Sequence, residues 1–257
     1  MIRVENACVS FGGLRAVDDV SFDIPAGKIT GLIGPNGAGK TTMFNAIAGH
    51  VPLTSGCIFL GDQEITDLPP HRRAEMGLAR TFQIPHEFTR LTVLENLMAA
   101  ASMPLGENIL NVIFRRGKYN AEERGVYESA RSMTAFLEIE HVADEQAGNL
   151  SGGQKKLLEL GRALMRKPDI ILLDEIGAGI NRTLLAKIAD KIKQLNEEQN
   201  LTFCLIEHDL GYVKSLCDEA IVLVQGKKLM RGGVDAVAAD ERVIEAYFGG
   251  GKYEAAL

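Results

Sequence analysis

The chain has 257 residues, 46% of them hydrophobic, enough for one large domain or two closely packed lobes with a sizeable core. Twenty-eight basic residues against 34 acidic ones give a formal net charge of −6, which argues against a surface built to coat nucleic acid. Cys8, Cys57, Cys204 and Cys217 lack metal-ligand spacing and read as reduced packing residues. No run approaches the ~18 apolar residues of a spanning helix, and MIRVENACVSF has no basic region before an apolar core, so neither a membrane span nor an export signal is expected.

Taken in chain order, Arg3 to Val9, Val17 to Ile24 and Lys28 to Ile33 read as strands broken by glycines and Pro25. Phe11-Gly12-Gly13 is compatible with a hairpin turn beside a core aromatic. The third strand runs into GPNGAGKT, Gly34 to Thr41, followed by the apolar helix Met43 to Ala48. In this pattern Gly34, Gly37 and Gly39 let backbone N–H groups turn toward phosphates, and the helix that begins at Lys40 adds its positive dipole end. Lys40 is placed to reach the β- and γ-phosphates of a nucleotide, and the Thr41 hydroxyl to ligate Mg²⁺.

Cys57 to Leu60 gives another strand, and after Gln83 the pattern turns helical. Thr92 with Glu95 three residues on is a capping-box spacing for a helix over Leu91 to Ala101. The stretch Ala99 to Glu123, with Pro104, Gly106 and Arg115-Arg116-Gly117-Lys118, reads as a solvated loop holding a short helix, Asn108 to Phe114, and Ala121 to Leu137 as a longer helix. Leu150-Ser151-Gly152-Gly153-Gln154 opens a further helix, Lys155 to Met165, with Ser151 as N-cap; such an opening is either an ordinary cap or a second anion site. Ile170 to Leu173 is a buried-strand run, and Asp174 and Glu175 follow where that strand leaves the sheet. Asp174 can hold hydrated Mg²⁺ there, and Glu175 can orient and deprotonate a water. A helix over Leu184 to Glu197 and strands at Phe203 to Glu207 and Ala220 to Val224 complete an α/β core with a helical insertion.

These motifs in this order resemble the ATPase subunits of ABC transporters along nearly the whole chain: the P-loop Gly34 to Thr42, Gln83 in ARTFQ, the signature Leu150 to Gln154, the acids Asp174 and Glu175, and His208 in IEHDL. The resemblance implies a P-loop ATPase core of mixed sheet and flanking helices over about residues 1–83 and 161–257, an antiparallel β region, and a helical subdomain over about 84–160. It implies ATP and Mg²⁺ as ligands. Contacts would come from Gly34, Asn36, Gly37, Ala38, Gly39, Lys40, Thr41 and Thr42, with Phe11 stacked on adenine and Val17 beside it. Gln83 would touch Mg²⁺ or water and relay the membrane partner's position; His208 would hold the γ-phosphate. Ser151, Gly152, Gly153 and Gln154 would face the nucleotide of a second, identical or homologous, ATPase subunit.

GLARTFQIPHEFTRLTVLENLM and VIEAYFGG further resemble the ATPase subunits of branched-chain amino-acid importers. That implies transmembrane permease subunits and, indirectly, an external solute-binding protein as partners, no nucleic acid, and a place on the cytoplasmic face of the membrane. Lipopolysaccharide-export ATPases share the architecture but tend to lack the Ala99 to Glu123 stretch. Non-transport ABC proteins carry two cassettes or a long coiled coil, and neither is present. After the acids this chain has Ile176-Gly177-Ala178-Gly179-Ile180-Asn181-Arg182 where the subfamily has a proline and then AAGLNP, which removes two fixed φ angles and restores two N–H donors.

Overall fold

In the computed structural model, which describes residues 1–81, 87–102 and 116–248, the amino-terminal alternation becomes two long strands, β1 (Ile2–Phe11) and β2 (Leu14–Ile24). Ile2 and Val4, then Ala7 and Val9, on one strand and Val20, Phe22 and Ile24, then Val17, on the other are buried; the period of two for a half-covered sheet is broken once in each strand, at the register shifts beside Asn6 (φ 46°) and Asp19 (φ 53°). The strands meet at Gly12-Gly13 with Phe11 opposite Leu14. With β4 (Ser55–Leu60) and β5 (Gln63–Glu64) they form an antiparallel sheet of order β2-β1-β4-β5.

The second sheet holds β3 (Ile29–Ile33), β6 (Leu78–Arg80), β7 (Ile170–Asp174), β8 (Thr202–Ile206), β9 (Glu219–Val224) and β10 (Lys227–Gly233). Every residue of β3, β7 and β8 is buried, which is why these segments read as unbroken apolar runs. The order is β10-β9-β3-β8-β7-β6, parallel except at the β10 edge. Strands β3, β8 and β7 are neighbours and end side by side, so Gly34, Glu207 and Glu175 all leave one carboxyl edge, where open α/β sheets bind ligands.

Helix α1 (Lys40–Ile47) joins the two sheets in one core: Met43, Phe44 and Ile47 pack in a cluster with Val4, Val20 and Ile58 of the first sheet and Leu172, Ile206 and Leu223 of the second. The carboxyl end of α1 is closed by Arg73 of α2 (Pro70–Glu75), a residue only 3% exposed. Its guanidinium donates to the carbonyls of Ala46 (2.6 Å), Ile47 (2.7 Å), Leu68 (2.8 Å) and Thr66 (2.8 Å). Burial lowers the Arg73 pKa from its ordinary value, and Asp67 partly offsets that. Arg73→Met is expected to lower the midpoint of chemical unfolding followed by circular dichroism, reflecting a loss of ~1–3 kcal/mol or more in unfolding free energy, the cost of leaving even one buried acceptor unsatisfied. An unchanged midpoint would deny the guanidinium that role.

Met1–Arg80, Asp169–Gly177 and the chain from Ile192 pack as one unit; Thr81–Pro168 and Ala178–Lys191 pack as another. The second unit contains α3 (Val93–Ala100), α4 (Arg116–Phe136) and α5 (Gly152–Leu164). Thr92 caps α3 with the expected capping box: its hydroxyl accepts from Glu95 N at 3.1 Å, and Glu95 Oε2 accepts from Thr92 N at 2.8 Å. A side chain on Gly161 of α5 would lie 2.7 Å from Leu137 and 2.8 Å from Leu97, so the helices pack closely at that point. Helix α6 (Arg182–Gln199) follows β7, and α7 (Leu210–Leu216), α8 (Val234–Ala239) and α9 (Glu241–Phe248) complete the described chain. The short helix expected at Asn108 to Phe114 lies outside the described residues.

Candidate functional site

The turn after β3 needs glycine for steric reasons at two positions. A Cβ on Gly34 (φ 146°) would stand 2.0 Å from the Leu223 carbonyl oxygen, and one on Gly39 (φ 93°) 2.4 Å from that of Ala16. Gly39 is also the left-handed residue that starts α1, and the first-turn amides of this eight-residue helix have no side-chain cap and no carbonyl one turn back within the helix. Lys40 is 5% exposed, and its ammonium donates to Gly34 O at 2.7 Å and Pro35 O at 2.9 Å. Burial pulls its pKa down, while Glu175 and Asp174 pull it back up, so both acids lie within Coulombic reach of the ammonium. Gly34 N donates to the Tyr247 hydroxyl of α9 at 2.8 Å. Burial raises the Tyr247 pKa, and that amide opposes the rise.

At the neighbouring strand ends, Glu175 Oε1 and His208 Nε2 are 2.8 Å apart. An ionised carboxylate can only accept, so the imidazole carries the proton on Nε2 in that contact. Glu175 holds φ 47°, a left-handed conformation that costs a non-glycine residue ~1–3 kcal/mol and survives only where its surroundings over-determine it. Its own amide donates to Ile206 O at 3.1 Å, and the loop beyond is held where Gly177 N donates to Glu207 at 2.9 Å. Burial raises the Glu207 pKa against the opposing pull of that bond. Asp209 caps α7 by accepting from Gly211 N (2.8 Å) and Tyr212 N (3.1 Å), which fixes the chain on the far side of His208.

These groups open onto a cavity of about 580 Å³, lined by Phe11, Leu14, Ala16, the loop from Asn36 to Thr42, Glu175 and His208. Phe11 does sit at the hairpin turn, and it is half exposed with its ring in the cavity lining. Val17 is fully buried in the core between the sheets, turned inward where the strand shifts register beside Asp19 (φ 53°), and Leu14 and Ala16 line the cavity. Asp174 is 2% exposed and forms an ion pair with Arg80 at 2.9 Å. Arg80, Tyr247 and Leu14 were not singled out in the sequence; the one available signal was that Arg80 stands in ARTFQ, three residues before Gln83. Gln83 lies outside the described residues.

The signature residues belong to the second unit. Ser151 N-caps α5 in a reciprocal box with Gln154: Gln154 N donates to Ser151 Oγ at 3.3 Å, and Ser151 N donates to Gln154 Oε1 at 2.9 Å. Ser151 and Gly152 are exposed, whereas a Cβ on Gly153 would come within 2.2 Å of Leu184. In the altered loop, Asn181 caps α6 without the following proline, its Oδ1 accepting from Leu184 N at 2.9 Å.

The donors near Lys40 suit a small hard cation. Asp174 supplies a carboxylate and Thr41 a hydroxyl, and Mg²⁺ is commonly held by one or two protein oxygens together with substrate phosphates and waters. No group of three or more His, Cys, Asp or Glu able to hold a metal occurs among the described residues, and such a site does not need one.

A family model described as "ABC transporter" matches residues 17–178. A probable branched-chain amino acid transport ATP-binding protein, LivG, of Archaeoglobus fulgidus is 35% identical over 97% of this chain and 95% of its own length. The high-affinity branched-chain amino acid transport ATP-binding protein BraF of Pseudomonas aeruginosa is 36% identical, covering 97% and 98%. Among solved structures, a nucleotide-free ATP-binding cassette from an ABC transporter superposes with a TM-score of 0.84 at 37% identity, covering 97% of this chain and 99% of that one.

Proposed function

Because the chain belongs to the ABC transporter family, we propose that it is the ATP-hydrolysing subunit of an importer for branched-chain or related amino acids. As an ABC ATPase it binds ATP. The observation that carries the ATP-hydrolysing role is one cavity bounded by Phe11, the glycine loop, Lys40 and the Glu175–His208 pair; the relatives' names support the amino-acid cargo.

The α1 first-turn amides and Lys40 hold the β- and γ-phosphates, and Phe11 takes the adenine face. Thr41 and Asp174 hold Mg²⁺, with Gln83 as the further ligand expected from the sequence. The ion these residues would hold would supply positive charge that offsets the charge of the phosphates. Glu175 takes the proton of the attacking water, and His208 gives its Nε2–H to the γ-phosphate in exchange for the carboxylate it meets here. Ser151, Gly152, Gly153 and Gln154 complete the site on a second ATPase subunit, identical or homologous, so that two ATPs close the dimer and hydrolysis reopens it. Transmembrane permease subunits, which the family implies, carry the solute across the membrane. The ATPase docks on these at the cytoplasmic face, with a solute-binding protein acting outside.

Support for the docking surface comes from the second unit. Phe88 is half exposed, with the Arg162 guanidinium 5.1 Å above its ring. Its backbone is held by the buried Asn96, which accepts from Phe88 N at 2.9 Å and donates to Phe88 O at 3.0 Å. Phe88→Glu replaces the exposed apolar ring with a carboxylate, and a permease that covered it would have to strip that charge of water, which is costly. Uptake by cells expressing the assembled variant is expected to fall ~10-fold or more, while phosphate release by the isolated subunit stays near wild type. Undiminished uptake would remove Phe88 from the coupling surface.

A further inference from the structure

Asp174 does not stand alone at the end of β7. Arg80, the last residue of the edge strand β6, is 6% exposed in its side chain and donates from Nη2 to Asp174 Oδ2 at 2.9 Å. From Nη1 it donates to Asn45 Oδ1 on α1 at 2.6 Å. The parallel register pairs Arg80 with Leu172, two residues before Asp174, so the strand period puts Arg80 and Asp174 on the same face of the sheet. One planar guanidinium thus joins three elements: β6, which leads into the Gln83 segment; β7, which carries the acids; and α1, whose first residue is Lys40. A rigid fork can hold two partners in fixed relative geometry, which a lysine ammonium on a flexible stem does not.

We propose that Arg80 is a positioning residue for metal binding. By engaging Oδ2 and bracing against Asn45, it fixes the plane of the Asp174 carboxylate relative to the P-loop helix. The inference rests on the reading of Asp174 as the Mg²⁺ carboxylate. Groups that orient a metal's ligands contribute to affinity through geometry, and their loss typically weakens the metal ~10–100-fold.

The test follows the Mg²⁺ concentration that half-maximally tightens binding of a non-hydrolysable ATP analogue, measured by calorimetry, alongside binding of the same analogue in EDTA. Arg80→Met is expected to raise the half-saturating Mg²⁺ ~10–100-fold while leaving affinity in EDTA near wild type. Arg80→Lys and Asn45→Ala should raise it by less, since each keeps part of the brace. Asp174→Asn should abolish the Mg²⁺ effect, and Arg80→Met should add nothing in that background. If Asp174→Asn leaves the Mg²⁺ requirement unchanged, the reading of Asp174 itself fails. If Asp174→Asn abolishes the effect but Arg80→Met, Arg80→Lys and Asn45→Ala all keep the wild-type requirement, the positioning role is overturned while the metal reading stands. Should Arg80→Met fail to fold by circular dichroism, the lysine and Asn45 variants decide the question by the same criterion.

Discussion

Lys40→Ala is expected to abolish ATP turnover and weaken nucleotide binding ~10–100-fold. The ammonium is the strong cation that the glycine loop itself supplies, and charge-assisted hydrogen bonds of this kind contribute ~1.5–3 kcal/mol, with ~1.4 kcal/mol per factor of ten. The structure adds a second consequence. Lys40 also bonds the carbonyls of Gly34 and Pro35, so the variant loses the closure of its own loop. Binding of ATP should therefore weaken even without Mg²⁺, as calorimetry in EDTA would record. Turnover at the wild-type rate would remove the P-loop assignment.

Glu175→Gln should lower the hydrolysis rate ~10²–10⁴-fold, the usual contribution of a general base. Glutamine keeps the size and one accepting oxygen, so the 2.8 Å contact with His208 can persist while the proton acceptor is lost. Removing a negative charge beside the γ-phosphate also lowers repulsion in a closed pair. With Mg²⁺ and ATP the variant is expected to run as a dimer by light scattering, and with ADP as a monomer. If the natural assembly pairs two different ATPases, the dimer forms on adding the second. Hydrolysis within a few-fold of wild type would be falsifying for the base and would move its role to a water held by other groups.

Much of this site was legible because its chemistry imposes spacing. Glycines are forced at Gly34 and Gly39 by carbonyls 2.0 and 2.4 Å from any added Cβ, and the acids must stand at the end of a buried strand. The capping box at Thr92 was readable for the same reason, since its partners lie three residues apart, while at Ser151 only the cap was read and the structure adds Gln154 as its reciprocal partner. What escaped the sequence depends on register or on distant pairing. Val17 is turned inward by a register shift between it and Val20, which no period of two announces. Strand β6 has three residues, too few for a pattern, and β10 carries lysines and glycines because it is an exposed antiparallel edge. The contacts of Tyr247 with Gly34 and of Arg80 with Asp174 span 213 and 94 residues, and no local spacing announces them.

If hydrolysis at Glu175 drives amino-acid import, uptake of labelled leucine, isoleucine and valine by cells deleted for this chain depends on that carboxylate. The wild-type chain should restore uptake, and Glu175→Gln, expressed and assembled equally, should not. Full uptake with Glu175→Gln, or no dependence of branched-chain amino-acid uptake on the wild-type chain, would contradict the account.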